Sequence, residues 1–318
     1  MEGQSGHAKR SYLNFIAEET RQVPWANVNE TSLHYEMTGP EMGTPIVFIP
    51  PPLLTLEAFK YQKEQLSVYF RVITFDIRGH GGSAPSKMPL RYELISQDIV
   101  GLLDFLGIEQ AFLCGYSTGG TVALAALLAY SSRFVGGIIV SGMSELTDTY
   151  NRIRVWLAIR MANPSRVMNL LTNAITYGNA DKQTTYQELN EHALHDAAAN
   201  VKSYFEQSFH YSCTTRLHSI HQPVLLIYGQ KDRGFHPYAH ILHEGLPNSS
   251  LFFIKGAKHP VPIQSAGRMN DIIHLWIESL DKKEQKERWK LDLAIAQKLH
   301  PQMYGTEEDA ENGFENYH

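Results

Sequence analysis

Residues 111–129 read AFLCGYSTGGTVALAALLA, and the order of residue types in this stretch decides the architecture. Residues 111–114 form a short, continuously apolar run, suited to a strand buried on both faces. Residues 119–129 are longer, small and apolar, suited to a helix. Between them, Gly115-Tyr116-Ser117-Thr118-Gly119-Gly120 carries the G-x-S-x-G spacing. A serine on a tight strand-to-helix turn projects its Oγ above the sheet, and glycines two positions to either side avoid collision with neighbouring backbone. The free N–H groups and dipole of the following helix favour negative charge beside that hydroxyl.

Working outward, further strand-like runs fall at 45–49, 71–76, 137–141, 223–228 and 250–254, again continuously apolar. Helical patterns separate them at 56–68, 91–106, 236–246 and 269–280. Strand–helix–strand order of this kind predicts an α/β fold with a mostly parallel sheet and helices on both faces. The stretches 25–27 and 32–37 read as an antiparallel edge hairpin. Between Met143 and Ile220 no strand pattern appears, only helical patterning at 153–161, 165–177 and 186–209. A helical insertion of this size suits a lid over a site. The expected organisation is an N-terminal extension (1–24), a core (25–143 and 220–280), a helical cap (144–219), a C-terminal helical extension (281–304) and an acidic, disordered tail (305–318).

Composition narrows the function. The 318 residues carry a net charge of −5, with acids and bases interspersed, so nucleic acid is not an expected partner. No apolar leader and no run long enough for a membrane span is read, which makes a cytoplasmic location the expectation. Two cysteines, Cys114 and Cys213, do not make a disulfide scaffold. His236, His240 and His243 have a spacing that could ligate metal. Without an accompanying carboxylate–histidine motif they read as a polar helix face, and neither metal nor cofactor is expected. The 291–299 pattern suits either a homodimer contact or a helix packed on the domain.

A lone serine is a poor nucleophile and needs a base that is itself held by a third group. The 224–228 run ends in Gly229-Gln230-Lys231-Asp232, and the 251–254 run in Lys255-Gly256-Ala257-Lys258-His259. The chain order Ser117, Asp232, His259 is that of a triad on this kind of sheet. Asp232 also suits a helix N-cap, and Glu145 and Asp148, following the 137–141 strand, are rival acids. With FDIRGHGGSAPS (75–86), CGYSTGG (114–120), LLIYGQKD (225–232) and IKGAKHPVP (254–262), the chain resembles the α/β-hydrolase superfamily over about residues 25–280. The resemblance implies an eight-stranded sheet with a helical cap. It also implies Ser117 as nucleophile, Asp232 as acid and His259 as base. It assigns Asp76, Arg78 and Gly79 to a structural turn.

One stretch departs from that pattern. An oxyanion hole of this type takes one N–H from the residue after the nucleophile, here Thr118, and a second from the loop after an early strand. That loop reads Ile49-Pro50-Pro51-Pro52-Leu53-Leu54, which puts Pro52, without an N–H, on the donor position. The N–H of Leu53 is the preferred substitute, with the Leu54 N–H and the Thr55 or Tyr116 hydroxyl as alternatives.

The expected activity is hydrolysis of a small, fairly apolar carboxylic ester or lactone through an acyl-enzyme. Trp156, Leu157, Met161, Met168, Leu170 and Leu171 of the cap are candidates to line its pocket or to form the cap's own core. STGG after the serine resembles cofactor-free haloperoxidase members of the superfamily. Haloperoxidase or carbon–carbon hydrolase chemistry on the same triad is therefore an alternative, as is a ligand-binding homologue with little turnover.

Overall fold

The computed structural model describes residues 25–163 and 166–280. The readings placed on residues 1–24 and 281–318 lie outside the described residues. Eight strands form one sheet in the order β1-β2-β4-β3-β5-β6-β7-β8. β1 (Trp25–Val28) and β2 (Thr31–Thr38) are an antiparallel hairpin, joined antiparallel to β4 (Arg71–Phe75). β3 (Pro45–Ile49), β4, β5 (Ala111–Tyr116), β6 (Phe134–Val140), β7 (Val224–Gly229) and β8 (Ser249–Ile254) run parallel.

The apolar runs are continuous because both faces are covered. Val47, Ile49, Leu113, Ile139 and Leu226 join one buried cluster, and Ile46, Phe48, Phe112, Ile138 and Leu225 join the other. Alternate side chains of every strand point to opposite faces, so neither face tolerates a polar run. Helices α1 (Lys60–Leu66) and α10 (Ala266–Leu280) cover one face. Helices α2 (Tyr92–Phe105), α3 (Thr118–Ala129) and α8 (His236–Gly245) cover the other. A one-turn helix α9 (Val261–Gln264) precedes α10.

Between β6 and β7 lie four helices: α4 (Thr149–Met161), α5 (Arg166–Asn179), α6 (Gln183–Ala193) and α7 (Ala198–His210). The single helical pattern read over 186–209 is thus two helices. The break has a tertiary cause: the Ala197 N–H donates to the Gly79 carbonyl (2.8 Å) and Asp196 Oδ1 accepts the Gly81 N–H (2.6 Å). Those bonds take backbone and side chain that a continuous helix would keep to itself. The pattern at 56–68 likewise divides into a 3₁₀ turn, Leu56–Phe59, and α1.

The FDIRGHGGS stretch fastens these parts together. Asp76 accepts the Leu56 N–H (2.8 Å) and the Gly82 N–H (2.9 Å), and pairs with His34 Nδ1 (2.8 Å). Arg78 Nε donates to Asp98 Oδ2 of α2 (2.6 Å) in a buried pair. Gly79 has φ +77, and a Cβ there would lie 2.1 Å from Asn200 Oδ1 of α7. These contacts hold the core's own loops and its junction with α7.

Candidate active site

Ser117 occupies the turn between β5 and α3 with φ 53° and ψ −120°, a left-handed conformation that costs a non-glycine residue about 1–3 kcal/mol. It persists because the turn is over-determined. The Ser117 N–H donates to the Val140 carbonyl (2.8 Å), and the Gly120 N–H donates back to the Ser117 carbonyl (2.9 Å). A Cβ on Gly115 would lie 2.2 Å from the Gly119 oxygen, and one on Gly119 would lie 2.1 Å from the Ile49 oxygen. Both glycines therefore answer to backbone contacts, and the second presses the loop after β3 against the start of α3.

Asp232 and His259 follow the ends of adjacent strands β7 and β8. Their loops are joined, since the Lys231 N–H donates to the Ala257 carbonyl (2.8 Å) and a Cβ on Gly229 would lie 2.4 Å from the Lys258 oxygen. His259 Nδ1–H donates to Asp232 Oδ2 (2.7 Å), and the Ser117 hydroxyl donates to His259 Nε2 (3.2 Å). The carboxylate selects the tautomer that leaves Nε2 free to accept. Phe235 and Tyr116 flank the imidazole, with ring centroids 4.2 and 5.5 Å away. Such a chain can draw the serine proton toward the imidazole as Oγ forms a bond.

The rival acids are placed elsewhere. Asp148 accepts the Asn151 N–H (2.8 Å) as the N-cap of α4 and bonds the Tyr238 hydroxyl. Glu145 is close enough to Cys213 for its charge to add to the burial that raises that thiol. Of the three spaced histidines, His236 packs edge-on against Phe253 and bonds the Gly229 oxygen (3.2 Å), while His243 bonds Ser249 (2.9 Å).

Around the loop after β3, the Leu54 N–H donates to the Pro51 carbonyl (3.2 Å), and Leu53 between them has φ 62°. Proline second and a positive φ third make a type II turn. Thr55 Oγ1 accepts the Glu57 N–H (3.4 Å), and the Tyr116 hydroxyl donates to Asn179 Oδ1 (2.7 Å). Among the described residues the backbone N–H groups of Leu53 and Thr118 make no hydrogen bond. Both N–H groups are therefore available to an acceptor.

The six cap residues divide. Met168 and Leu171 are buried with Leu53 in one apolar cluster, against which Met161 packs. Trp156, Leu157 and Leu170 are exposed instead, on the outside of α4 and α5. Pattern alone did not separate these two sets, because both recur at helical spacing. Tyr204, Asn179 and Phe235 touch the site or its loops and were not singled out in the sequence, where nothing distinguishes them from ordinary helix and turn residues.

Beside the Tyr204 ring, His80 is fully buried, its Nδ1 near the Arg78 oxygen (3.3 Å) and its Nε2 without a partner among the described residues. Burial pushes its imidazole down to about 4. The unfolded chain binds a proton near pH 6.5 and the folded one does not. Folding stability from this residue is therefore full above pH 6.5 and falls as pH drops toward 4, by about 3 kcal/mol in all. Chemical denaturation at pH 7.5 and 4.5 is expected to show this loss, reduced in His80→Phe. An equal loss in that variant would remove His80 as its source.

Comparison with known proteins bears on the fold. Residues 44–266, well over half of the chain, match the family model described as alpha/beta hydrolase fold. The 3-oxoadipate enol-lactonase 2 of Acinetobacter baylyi is 24% identical over 73% of this chain and 90% of its own length. Two other curated relatives match over 48% and 43% of their own length. Among solved structures, an esterase from Exiguobacterium antarcticum superposes with a TM-score of 0.73 at 19% identity, covering 81% of this chain and all of the other. A bromoperoxidase from Bacillus anthracis superposes at 0.70 and 21% identity, covering 78% and 96%. The sheet order, the strained serine between β5 and α3 and the family match lead to one conclusion: this chain belongs to the alpha/beta hydrolase fold family.

Proposed function

We propose that the protein is a serine hydrolase cleaving a small, fairly apolar carboxylic ester or lactone. The observation that carries this reading is the hydrogen-bonded chain from Asp232 through His259 to Ser117, ending on a serine held in a strained turn at a helix N-terminus. In the first step Ser117 Oγ attacks the acyl carbonyl while His259 Nε2 takes its proton. Asp232 stabilises the imidazolium that forms. The alcohol, or the ring oxygen of a lactone, leaves with that proton, and water then attacks the acyl-enzyme with His259 again as base. The Thr118 and Leu53 N–H groups are proposed to receive the negative charge that develops on the carbonyl oxygen.

Support for an ester or lactone comes from two sides. Relatives of the chain include an enol-lactonase and an esterase. Around the Leu53 side chain the contacts are apolar: it packs among Ala158, Met168, Leu171, Val201 and Phe205. The test is a panel of p-nitrophenyl esters of increasing acyl length, together with γ- and δ-lactones and a fluorophosphonate probe. Turnover is expected for the shorter esters or the lactones, with labelling of Ser117. An inert protein whose serine the probe does not label would instead favour a binding role.

A further inference from the structure

The loop that must offer the second oxyanion donor is unusual in how little holds it. Pro50, Pro51 and Pro52 remove three consecutive N–H groups, so over that stretch the backbone can be tied only through its carbonyls and its packing. One tie is internal, from the Leu54 N–H to the Pro51 carbonyl (3.2 Å). The other comes from the cap: the Tyr204 hydroxyl of α7 donates to the Pro50 carbonyl (3.1 Å). Leu53 holds a positive φ of 62° that an unsupported leucine would relax. Its fully buried side chain packs in the cluster that contains Val201 and Phe205. Residues 201, 204 and 205 share one face of α7, so a single helix face grips the loop at both ends.

That helix is itself fixed to the core. The Ser86 N–H donates to Asn200 Oδ1 (3.0 Å), the Leu90 N–H to Ser203 Oγ (3.0 Å), and the Tyr92 hydroxyl to Ser208 Oγ (2.8 Å). The Tyr204 ring is fully buried, set edge-on against His80 (5.7 Å) and Tyr92 (6.1 Å). Burial also pushes its hydroxyl well above the usual phenol range, so it stays a neutral donor.

We propose that Tyr204 is a positioning residue of the oxyanion hole. It holds the Pro50 carbonyl so that the Leu53 N–H, together with the Thr118 N–H, faces the charge that develops on the carbonyl attacked by Ser117. The cap thereby supplies, from α7, the restraint that the triple-proline loop cannot supply from its own backbone. The proposal rests on the serine-hydrolase reading and assigns a task to a residue outside the triad.

Tyr204→Phe removes the hydroxyl and keeps the ring. Its kcat is expected to fall about tenfold to a hundredfold, less than the hundredfold to thousandfold for outright deletion of a donor. KM should stay within about threefold, because the restraint matters chiefly in the transition state. Affinity for a trifluoromethyl ketone, which forms a tetrahedral oxyanion on the serine, should fall in step with kcat. A merely structural tyrosine would lower the melting temperature without that parallel. Leu53→Ala, which keeps the N–H but frees the loop's other end, should show the same kcat-selective loss and carries the test if the phenylalanine variant does not fold. Unchanged kcat in the folded variant, or loss confined to KM, would overturn the role of Tyr204 while leaving the hydrolase intact. A wild type inert toward every ester and lactone would overturn the hydrolase reading first, and this proposal with it.

Discussion

Ser117→Ala is expected to lower kcat on the best ester by about 10⁴- to 10⁶-fold while leaving the protein folded. The size follows from what the hydroxyl does in the proposed mechanism. It is the atom that forms the acyl bond, and its hydrogen bond to His259 Nε2 (3.2 Å) is the route by which its proton leaves. Without it, the remaining route is direct attack of water activated by His259, with the oxyanion donors still in place, which accounts for a residual rate above solution. Alanine has no reason to unfold the turn. Its Cβ is that of serine, and the backbone ties from Ser117 to Val140 and Gly120 do not involve the hydroxyl. Circular dichroism and steady-state kinetics check both halves. Retention of more than about a hundredth of the activity, far above that range, would mean that another group attacks the substrate.

Asp232→Asn is the second large effect, with a loss of about 10⁴-fold in kcat near neutral pH. An asparagine would present its amide N–H₂ toward Nδ1 as readily as its oxygen. The imidazole would then favour the tautomer protonated on Nε2, which cannot accept from Ser117. Asp148→Asn is the discriminating control, since Asp148 was a rival acid in the sequence and caps α4 in the structure. It should cost about 0.5–1 kcal/mol of stability at most and leave kcat within about twofold. If instead the Asp148 variant lost the activity and the Asp232 variant kept it, the acid would be misassigned.

How much of this was open to sequence reading depends on the range of the interactions involved. The strands were legible because their apolar runs are local and end at turn residues. The hairpin and six parallel strands that the pattern implies are the eight strands of the sheet. Ser117, Asp232 and His259 were legible because each follows a strand end, and a parallel sheet aligns those ends along one edge. The break between α6 and α7 was not, because Asp196 and Ala197 leave the helix for partners in residues 79–81, far away in the chain. Nor was Tyr204, one aromatic residue on a helix with an ordinary pattern, whose partner is the carbonyl of a proline more than a hundred residues earlier. The problem posed by Pro52 could be read from the sequence. That the Leu54 N–H and the Tyr116 hydroxyl donate elsewhere, while the Leu53 N–H has no partner among the described residues, required coordinates.

The central claim is that Ser117 becomes covalently acylated, and the most direct measurement is rapid mixing with a p-nitrophenyl ester of short acyl length. The account predicts a burst of nitrophenol release approaching one equivalent per active chain when deacylation is the slower step. It also predicts that acid-quenched samples carry the acyl group on the peptide containing Ser117. Turnover of the same ester without any adduct on that peptide, under conditions where an adduct on another residue is detected, would contradict it.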